Sequence, residues 1–400
     1  MFNGMVQDLN IFVLLWYMIR YWGYSSGIIK LQQNRKCKNF RVSLLFSTLW
    51  IIEDKDTIKS VLDKTLDSKL TFPNKNFFAS HPHNLGIGNV DYEKNECLWK
   101  GLHNSLSSAI SSSMNNDRLE NIMDKHESIL LGKYGNEYEL VVVLDEYINA
   151  VWSEFCFGDQ KDLQKKYNKT KSAYSALIQN IFYNNTLSYF PLIGWLSCKI
   201  RYILNKEQYN KESIILAEYI KNAKEKSLFN EFAIKFMEYN NEHHVIDHKL
   251  VNKVIIDNAF LSIFVADFIH TACSESLLRI AYSYGNKMEW KFAKTTGLKQ
   301  GYLFPWRMRK IPNTMGIFSE GDYALLNIHG AQLFFSYGPR SCIGPRFYNK
   351  FYEHLLEILN PFDLKEQDSK IIVRSSDINR PFIQSNHIVK LTLPRDYLQQ

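Results

Sequence analysis

The amino-acid sequence predicts a mainly α-helical protein with a small peripheral β-sheet. The strongest helical candidate is residues 250–284, whose middle is apolar on nearly all sides and is therefore expected to be buried. Amphipathic stretches alternate with polar turns over residues 121–235, and residues 42–52 have the apolar and β-branched composition of a strand. A hydrophobic share of 46% with 14% aromatic residues is sufficient for a large core and argues against a disordered chain.

The charge and the cysteines limit the class of partner and the compartment. The net charge of +7 is spread along the 400 residues, so nucleic-acid binding is not indicated. A mild basic excess suits an acidic redox partner or an anionic membrane surface. The six cysteines contain no C-x-x-C pair and no regular spacing, which argues against a disulfide framework or a zinc site. We therefore expect a reducing compartment, either cytoplasmic or membrane-associated.

The chain begins with an aromatic-rich segment, residues 1–24, that is a candidate for membrane association. Residues 9–19 are almost continuously apolar but fall short of the roughly 20 residues that a helix needs to cross a bilayer. Several aromatic residues here are typical of a segment that lies at a membrane interface: Trp16, Tyr17, Tyr21, Trp22 and Tyr24. The alternative is an ordinary buried first helix.

The segments that follow alternate between strand, helix and loop. After the strand candidate at residues 42–52, Asp56 precedes a helical pattern whose apolar positions share one face. Residues 72–90 carry Pro, Gly, Asn and His and indicate a loop. Residues 98–103 return to a helical pattern, and residues 371–393 near the C-terminus are strand-like.

A ten-residue stretch near the C-terminus, F-S-Y-G-P-R-S-C-I-G, carries the chemistry of the chain. Cys342 precedes a helical pattern, and the N–H groups at a helix start favour a thiolate. Gly338 and Gly344 permit turns and close approach, Arg340 offers donors to a carboxylate, and Phe335 offers a ring for packing. The proximal side of a haem requires a thiolate ligand, a residue that binds the haem carboxylates and an aromatic ring that packs against the haem. A cysteine that is merely a small core residue is the alternative.

The pattern F-x-x-G-x-R-x-C-x-G resembles the cysteine loop of the cytochrome P450 haem-thiolate monooxygenases, with every fixed position present. The resemblance implies a cytochrome P450-like helical fold with a small peripheral sheet, in which residues 1–400 form a single domain. It also implies a haem as cofactor, with the Cys342 thiolate as the ligand of the iron. Further cofactor-binding residues would come from the same loop: Phe335, Gly338, Arg340 and Gly344.

Two segments nearer the N-terminus extend the resemblance. Residues 21–31 are similar to the family's opening helix and first strand. Where the family has W-x-x-x-R on a helix, with both side chains reaching the haem propionates, this chain has Trp99 and His103. Their i, i+4 spacing places them on one helical face, and His103 would be a weaker, pH-dependent donor than arginine. The alternative is an ordinary amphipathic helix.

The resemblance identifies residues 250–284 as the helix that passes over the haem on its distal side. The family has A-G-x-D/E-T-T there, and the matching residues 266–271 are A-D-F-I-H-T. Asp267, His270 and Thr271 are spaced i, i+3 and i+4 and are the candidate catalytic residues. His270 would donate a proton while Asp267 holds its ring, or it would bind the iron directly, or it would be a buried histidine without a chemical role. Thr271 could instead bond back to the Asp267 carbonyl and bend the helix.

The implied function is that of an oxygenase. It would insert one oxygen atom from O₂ into a small apolar organic substrate, with electrons from a reductase or a ferredoxin. Two departures keep other functions open, because Ile269 occupies the family's acid position and no E-x-x-R motif lies between Thr271 and Cys342. One alternative is a degenerate member that binds haem without oxygenating a substrate. The other is a haem-thiolate isomerase or dehydratase that acts on an already oxygenated substrate.

Overall fold

The structure, a computed structural model, is mainly helical with small sheets, which confirms the predicted fold class. It describes residues 6–20, 24–44, 47–65, 85–88, 90, 95–115, 117–132, 137–178, 180–181, 191–223, 226–284, 306–328, 331, 333, 336–338, 341–359, 363–366 and 388–392, and for some of these the backbone alone. The chain divides into two compact units. The first consists of Met1–Lys75, Gly301–Cys342 and Arg374–Phe382, and the second of Asn76–Gln300, Ile343–Val373 and Ile383–Gln400. The single domain over residues 1–400 stays a prediction.

The first unit is built on a five-stranded sheet. Its strands are β1 (Val6–Leu9), β2 (Asn39–Ser43), β3 (Thr48–Ile52), β5 (Trp306–Lys310) and β6 (Tyr323–Asn327). They lie in the order β1-β2-β3-β6-β5, in which β1–β2 and β3–β6 are parallel and β2–β3 and β5–β6 are antiparallel. Residues 42–52 are therefore not one strand. The chain reverses after β2, where the Leu44 N–H donates to the Ser47 carbonyl at 2.8 Å.

Two helices, α1 (Ile11–Arg20) and α2 (Tyr24–Arg35), pack against each other in the first unit. α1 buries Leu14 but exposes Phe12 (76%), Trp16 (55%) and Ile19 (75%), so it is neither wholly buried nor wholly exposed. The membrane association of residues 1–24 stays a prediction. The strand that the family resemblance implies within residues 21–31 is wrong, because residues 28–31 belong to α2, where Ile28 and Leu31 are buried at helical spacing.

Helix α3 (Lys55–Lys64) covers part of the sheet and confirms the helix expected near Asp56. The Asp54 carboxylate caps it by accepting the Thr57 N–H at 2.9 Å. Its apolar face is buried together with side chains of β3 and β6, in a cluster that includes Ile58, Val61, Leu62, Trp50, Ile52 and Leu326. This packing positions the C-terminal end of α3, which matters for the cysteine loop described below.

The second unit contains most of the helices. They are α4 (Glu96–Ser113), α5 (Arg118–His126), α6 (Ser128–Leu131), α7 (Leu140–Phe157), α8 (Leu163–Ile178), α9 (Pro191–Lys221), α10 (Leu228–His243), α11 (His248–Tyr284) and α12 (Pro345–Leu359). A three-stranded antiparallel sheet, ordered β4-β8-β7, is formed by β4 (Glu137–Glu139), β7 (Asp363–Glu366) and β8 (Ile388–Thr392). β8 confirms part of the strand-like stretch at residues 371–393, and residues 371–387 and 393 lie outside the described residues.

Helix α7 lies at the centre of the second unit and packs against α5, α8, α10 and α11. The Trp152 indole N–H donates to the Ser262 carbonyl at 2.8 Å, which joins α7 to α11. The Trp152 ring also meets Phe347 of α12 edge-on, with ring centroids 4.9 Å apart.

Among the described residues, one helical segment is long and apolar enough to cross a membrane, namely His248–Ser274 of α11. However, 73% of its most apolar stretch is buried inside the protein.

Candidate functional site

The loop that leads to Cys342 lies against the end of α3 in the first unit. Gly338 has a φ of +75°, and a Cβ atom at this position would lie 2.9 Å from the Leu62 carbonyl oxygen. A side chain there would be both strained and in steric conflict with the backbone. The Ser341 N–H closes the turn by donating to the Gly338 carbonyl at 3.0 Å. Gly338 and Ser341 are therefore held to each other one residue before Cys342, and the Cys342 residue is exposed.

The other predicted residues of this loop are only partly described. Gly344 accepts the Tyr348 N–H at 2.9 Å, the first helical bond of α12, and Pro345 occupies the first position of that helix, where a missing N–H costs nothing. Phe335 and Arg340 lie outside the described residues. The first unit does bury a further arginine that the sequence argument did not single out, Arg309 of β5, which is 7% exposed.

Trp99 and His103 share a face of α4, as their spacing predicts. Their rings are stacked with centroids 4.8 Å apart and an angle of 24° between the planes. Trp99 is buried and His103 is half-buried. Gly101, between them, allows α4 to approach α10 closely, because a Cβ atom there would lie 2.5 Å from the Tyr239 ring. The proposed role of both residues toward a cofactor stays a prediction.

Asp267 of α11 lies in a buried cluster of charged groups that joins three helices. The Lys171 ammonium of α8 lies 2.7 Å from an Asp267 carboxylate oxygen and 2.6 Å from one of Asp145, which α7 supplies. It also donates to the Asn149 side-chain oxygen at 2.9 Å. His270 lies at the edge of the cluster, with its Nδ1 atom 3.9 Å from the Asp145 carboxylate. We call these five residues the Lys171 cluster.

Burial and charge oppose each other in the Lys171 cluster. Burial raises the pKa of Asp267, and the nearby Lys171 cation partly offsets this rise. For Lys171, burial alone would lower the pKa, but the carboxylates of Asp267 and Asp145 outweigh burial and raise the pKa. Two carboxylates thus share one permanent cation, so a proton on His270 would neutralise the cluster.

The structure brings together two of the three candidate catalytic residues, Asp267 and His270, and shows partners that sequence reasoning missed. Thr271 belongs to α11, and its side chain lies outside the described residues. A usable signal did exist: Asp145 and Asn149 are spaced i, i+4, and Lys171 lies among the buried positions Thr170 and Tyr174 of α8. A lysine within an apolar helical face requires an anionic partner on another element.

A short loop, residues 85–88, is tied to α11 by side chains in the first third of that helix. The Asp257 carboxylate accepts the Leu85 N–H at 2.9 Å and the Lys253 ammonium at 2.6 Å on the same oxygen. The Asn258 side-chain oxygen accepts the Ile87 N–H at 2.9 Å. This contact belongs to the predicted loop at residues 72–90, most of which lies outside the described residues.

Comparison with known proteins supports the fold. No protein-family model matches the chain, and no curated protein sequence matches it. Solved structures do match: a cyanobacterial protein, CYP120A1 bound to retinoic acid, has a TM-score of 0.62 at 13% identity, covering 91% of this chain and 94% of that one. A zebrafish cytochrome P450 with progesterone has a TM-score of 0.62 at 12% identity, covering 91% of this chain and 98% of that one. The chain therefore has a cytochrome P450-like fold.

Proposed function

We propose that this protein is a haem-thiolate monooxygenase that uses O₂ and electrons from a reductase or ferredoxin to oxygenate a small apolar substrate. The observation that carries the proposal is the Cys342 loop on a cytochrome P450-like fold. The thiol belongs to an exposed residue, and the turn before it requires glycine at position 338. A cysteine that served only to fill the core would be buried, as Cys156 and Cys273 are.

The residues of the chain fit a haem. Cys342 would supply the thiolate ligand, and Gly338 allows the chain that leads to it to pass close to the backbone of α3. Arg340, Trp99 and His103 would hold the two haem carboxylates through charge-assisted hydrogen bonds. When bound, the haem would supply the binding and cleavage of O₂, to which the thiolate contributes electron density.

The remaining chemistry assigned to the protein is the handling of protons. Lys171 would keep Asp267 charged, and Asp267 would orient His270 as a donor near neutral pH. Two other outcomes are open for His270: it binds the iron directly, or it has no chemical role. His270→Ala separates the three: a changed resting spectrum indicates ligation, lost turnover with an unchanged spectrum indicates proton donation, and unchanged turnover indicates no role.

The test of haem ligation is the absorption spectrum of reduced, CO-treated protein. We expect the strongly red-shifted Soret band of a thiolate adduct in the wild type and its loss in Cys342→Ala. Cys97→Ala is the matched control, because Cys97 is also an exposed cysteine. A histidine-type spectrum in the wild type, or an unchanged band in Cys342→Ala, would refute the assignment.

One observation favours the second candidate function, a haem-thiolate isomerase or dehydratase. Asp267 is held by Lys171 in a buried ion pair, and a carboxylate committed to a cation is less available to orient His270 as a proton donor. An enzyme that rearranges an already oxygenated substrate needs no such donor. Turnover of a peroxide substrate without O₂ and reductase would favour this function, whereas a strict requirement for both would support the monooxygenase.

A further inference from the structure

Two buried hydroxyl groups beside the Lys171 cluster have no hydrogen-bond partner among the described residues. One belongs to Tyr167 of α8 and the other to Ser274 of α11, and the protein encloses both residues completely, with 0% of their surface exposed. Burying a hydroxyl is unfavourable unless a new hydrogen bond replaces those that it made to water. Ordered water molecules satisfy such groups in many proteins. Both hydroxyls therefore indicate sites for a small polar molecule.

Tyr167 lies within the helix interface that contains the carboxylates of the Lys171 cluster. It precedes Lys171 by one helical turn, so both side chains occupy one buried face of α8. The Tyr167 ring packs near Phe157 of α7, with ring centroids 6.3 Å apart. Burial raises the pKa of Tyr167, and the charges of Asp267 and Asp145 raise it further. Tyr167 therefore keeps its proton and is a hydrogen-bond donor close to two acceptor carboxylates.

Ser274 lies on the face of α11 that carries Asp267 and His270. It follows His270 by one helical turn and Asp267 by two, so the three residues form a row along the helix. Many serines within helices donate to a carbonyl of the preceding turn, as Ser262 of α11 does to the Ala259 carbonyl at 2.6 Å. The Ser274 hydroxyl has no such partner in the described part of the chain. A molecule bound beside His270 would supply one.

Water is the molecule that fits these two sites best. The Lys171 cluster has two carboxylates and one lysine, so it carries a net negative charge whenever His270 is neutral. Water molecules can donate to those carboxylates and accept from the Tyr167 hydroxyl. A metal ion does not fit, because the part of the chain that the structure describes has no group of three or more His, Cys, Asp or Glu side chains placed to bind one.

We propose that Tyr167 and Ser274 each hold a water molecule beside the Lys171 cluster, and that the water at Ser274 returns protons to His270. The second part rests on the function proposed above. When His270 gives up a ring proton, an O–H bond of this water breaks and a new N–H bond forms on the ring. The same water takes up a proton from solvent through Asp145, whose side chain is 41% exposed. One proton thus enters from solvent for each one that His270 releases, and Ser274 acts as a positioning residue.

The first experiment is a crystal structure of the full chain, and its outcome does not depend on the proposed catalytic function. We expect an ordered water molecule within about 2.6–3.2 Å of the Tyr167 hydroxyl oxygen and another at the same distance from the Ser274 hydroxyl oxygen. A hydroxyl that bonds to a protein atom instead, or that has no water beside it, would overturn the proposal.

Urea denaturation of Tyr167→Phe is the second experiment. Removing a hydroxyl that has no partner should leave the stability unchanged or raise it, whereas removing one that holds a water should raise the unfolding equilibrium constant roughly fivefold. Tyr147→Phe is the matched control, because Tyr147 is equally buried and its hydroxyl donates to the Met123 carbonyl at 3.3 Å. We expect similar losses in the two variants. A Tyr167→Phe protein at least as stable as the wild type would contradict the proposal.

The third experiment is the pH profile of turnover in Ser274→Ala. We expect kcat to fall about tenfold, less than the loss of a proton donor itself would cause, with KM and the spectrum of the CO adduct unchanged. The loss should grow as the pH rises, because solvent then supplies fewer protons. Ser153→Ala is the matched control, since Ser153 is a buried serine of α7 whose hydroxyl donates to the Ala150 carbonyl at 3.1 Å.

The outcomes separate the two parts of the proposal from the proposed function. A wild-type pH profile in Ser274→Ala, or an equal change in Ser153→Ala, would overturn the proton-returning role of Ser274. A wild-type protein without the thiolate band would refute the haem-thiolate function, and the crystal structure and the unfolding of Tyr167→Phe would still decide whether the two waters are bound.

Discussion

Replacing Lys171 by methionine should destabilise the protein severely, because it removes the cation of the Lys171 cluster and leaves its carboxylates buried. The Lys171 and Asp267 side chains are only 10% and 8% exposed and lie 2.7 Å apart. Breaking a buried pair by removing one partner costs about 3–5 kcal/mol. Asp145 is more exposed, at 41%, so water can compensate its charge and we assign no energy to it.

The loss should depend on pH in a predictable direction. Burial already raises the pKa of Asp267, and without Lys171 it should rise further. In the window between the unfolded pKa, about 4, and this raised folded pKa, the folded state binds a proton that the unfolded state does not. The free energy of unfolding of Lys171→Met should therefore increase as the pH falls through that window, by up to about 1.4 kcal/mol per pH unit.

The assay is urea denaturation followed by circular dichroism at several pH values. Lys169→Met, which alters an exposed lysine of the same helix, is the matched control and should change the stability by less than about 0.5 kcal/mol. Adding Asp267→Asn to Lys171→Met should recover most of the loss. If Lys171→Met lies within about 1 kcal/mol of the control at every pH, the buried ion pair does not hold these helices together.

Three further predictions concern the loops and the cofactor. Gly338 and Gly316 both have a positive φ, so replacing either by alanine should cost about 1–2 kcal/mol. Gly338→Ala should cost more than Gly316→Ala in thermal denaturation, because only the Cβ atom at Gly338 would meet a carbonyl, and equal losses would show that this contact does not matter. Asp257→Ala should speed hydrogen exchange at the Leu85 amide by roughly tenfold, whereas an unchanged rate would show that this tie does not hold the loop. Arg340→Ala should release haem to apomyoglobin faster than His103→Ala does, and equal or reversed rates would show that the family alignment of these segments is wrong.

Long helices could be predicted from the sequence because their apolar spacing is sustained over many turns. α11 spans His248–Tyr284, close to the predicted 250–284. Short apolar runs were less informative. Residues 28–31 have a composition that suits either element, and only the burial of Ile28 and Leu31 in α2 shows which one forms. The reversal between β2 and β3 was missed because it occupies few residues and contains no glycine or proline.

The candidate site shows the same difference between local pattern and long-range contact. The turn at Gly338 and the stacking of Trp99 on His103 follow from residues close in sequence. The partner of Asp267 is Lys171, on a different helix, and no spacing rule within α11 could identify it. Chemistry that depends on side chains from three helices is therefore visible only after the helices are packed.

The pairing of β3 with β6 has a consequence for the order in which the chain folds. These strands pair in parallel although they lie far apart in sequence: Leu49 of β3 pairs with Tyr323 of β6, and 274 positions separate the two residues. At about 5–20 residues per second, a ribosome needs roughly 14–55 s to make the intervening chain. During that time β3 presents an open edge, rich in buried-type side chains such as Trp50 and Ile52, to any other strand. The nascent chain must therefore be protected from aggregation, by a chaperone or by early folding of the helices of the second unit, until β6 is made.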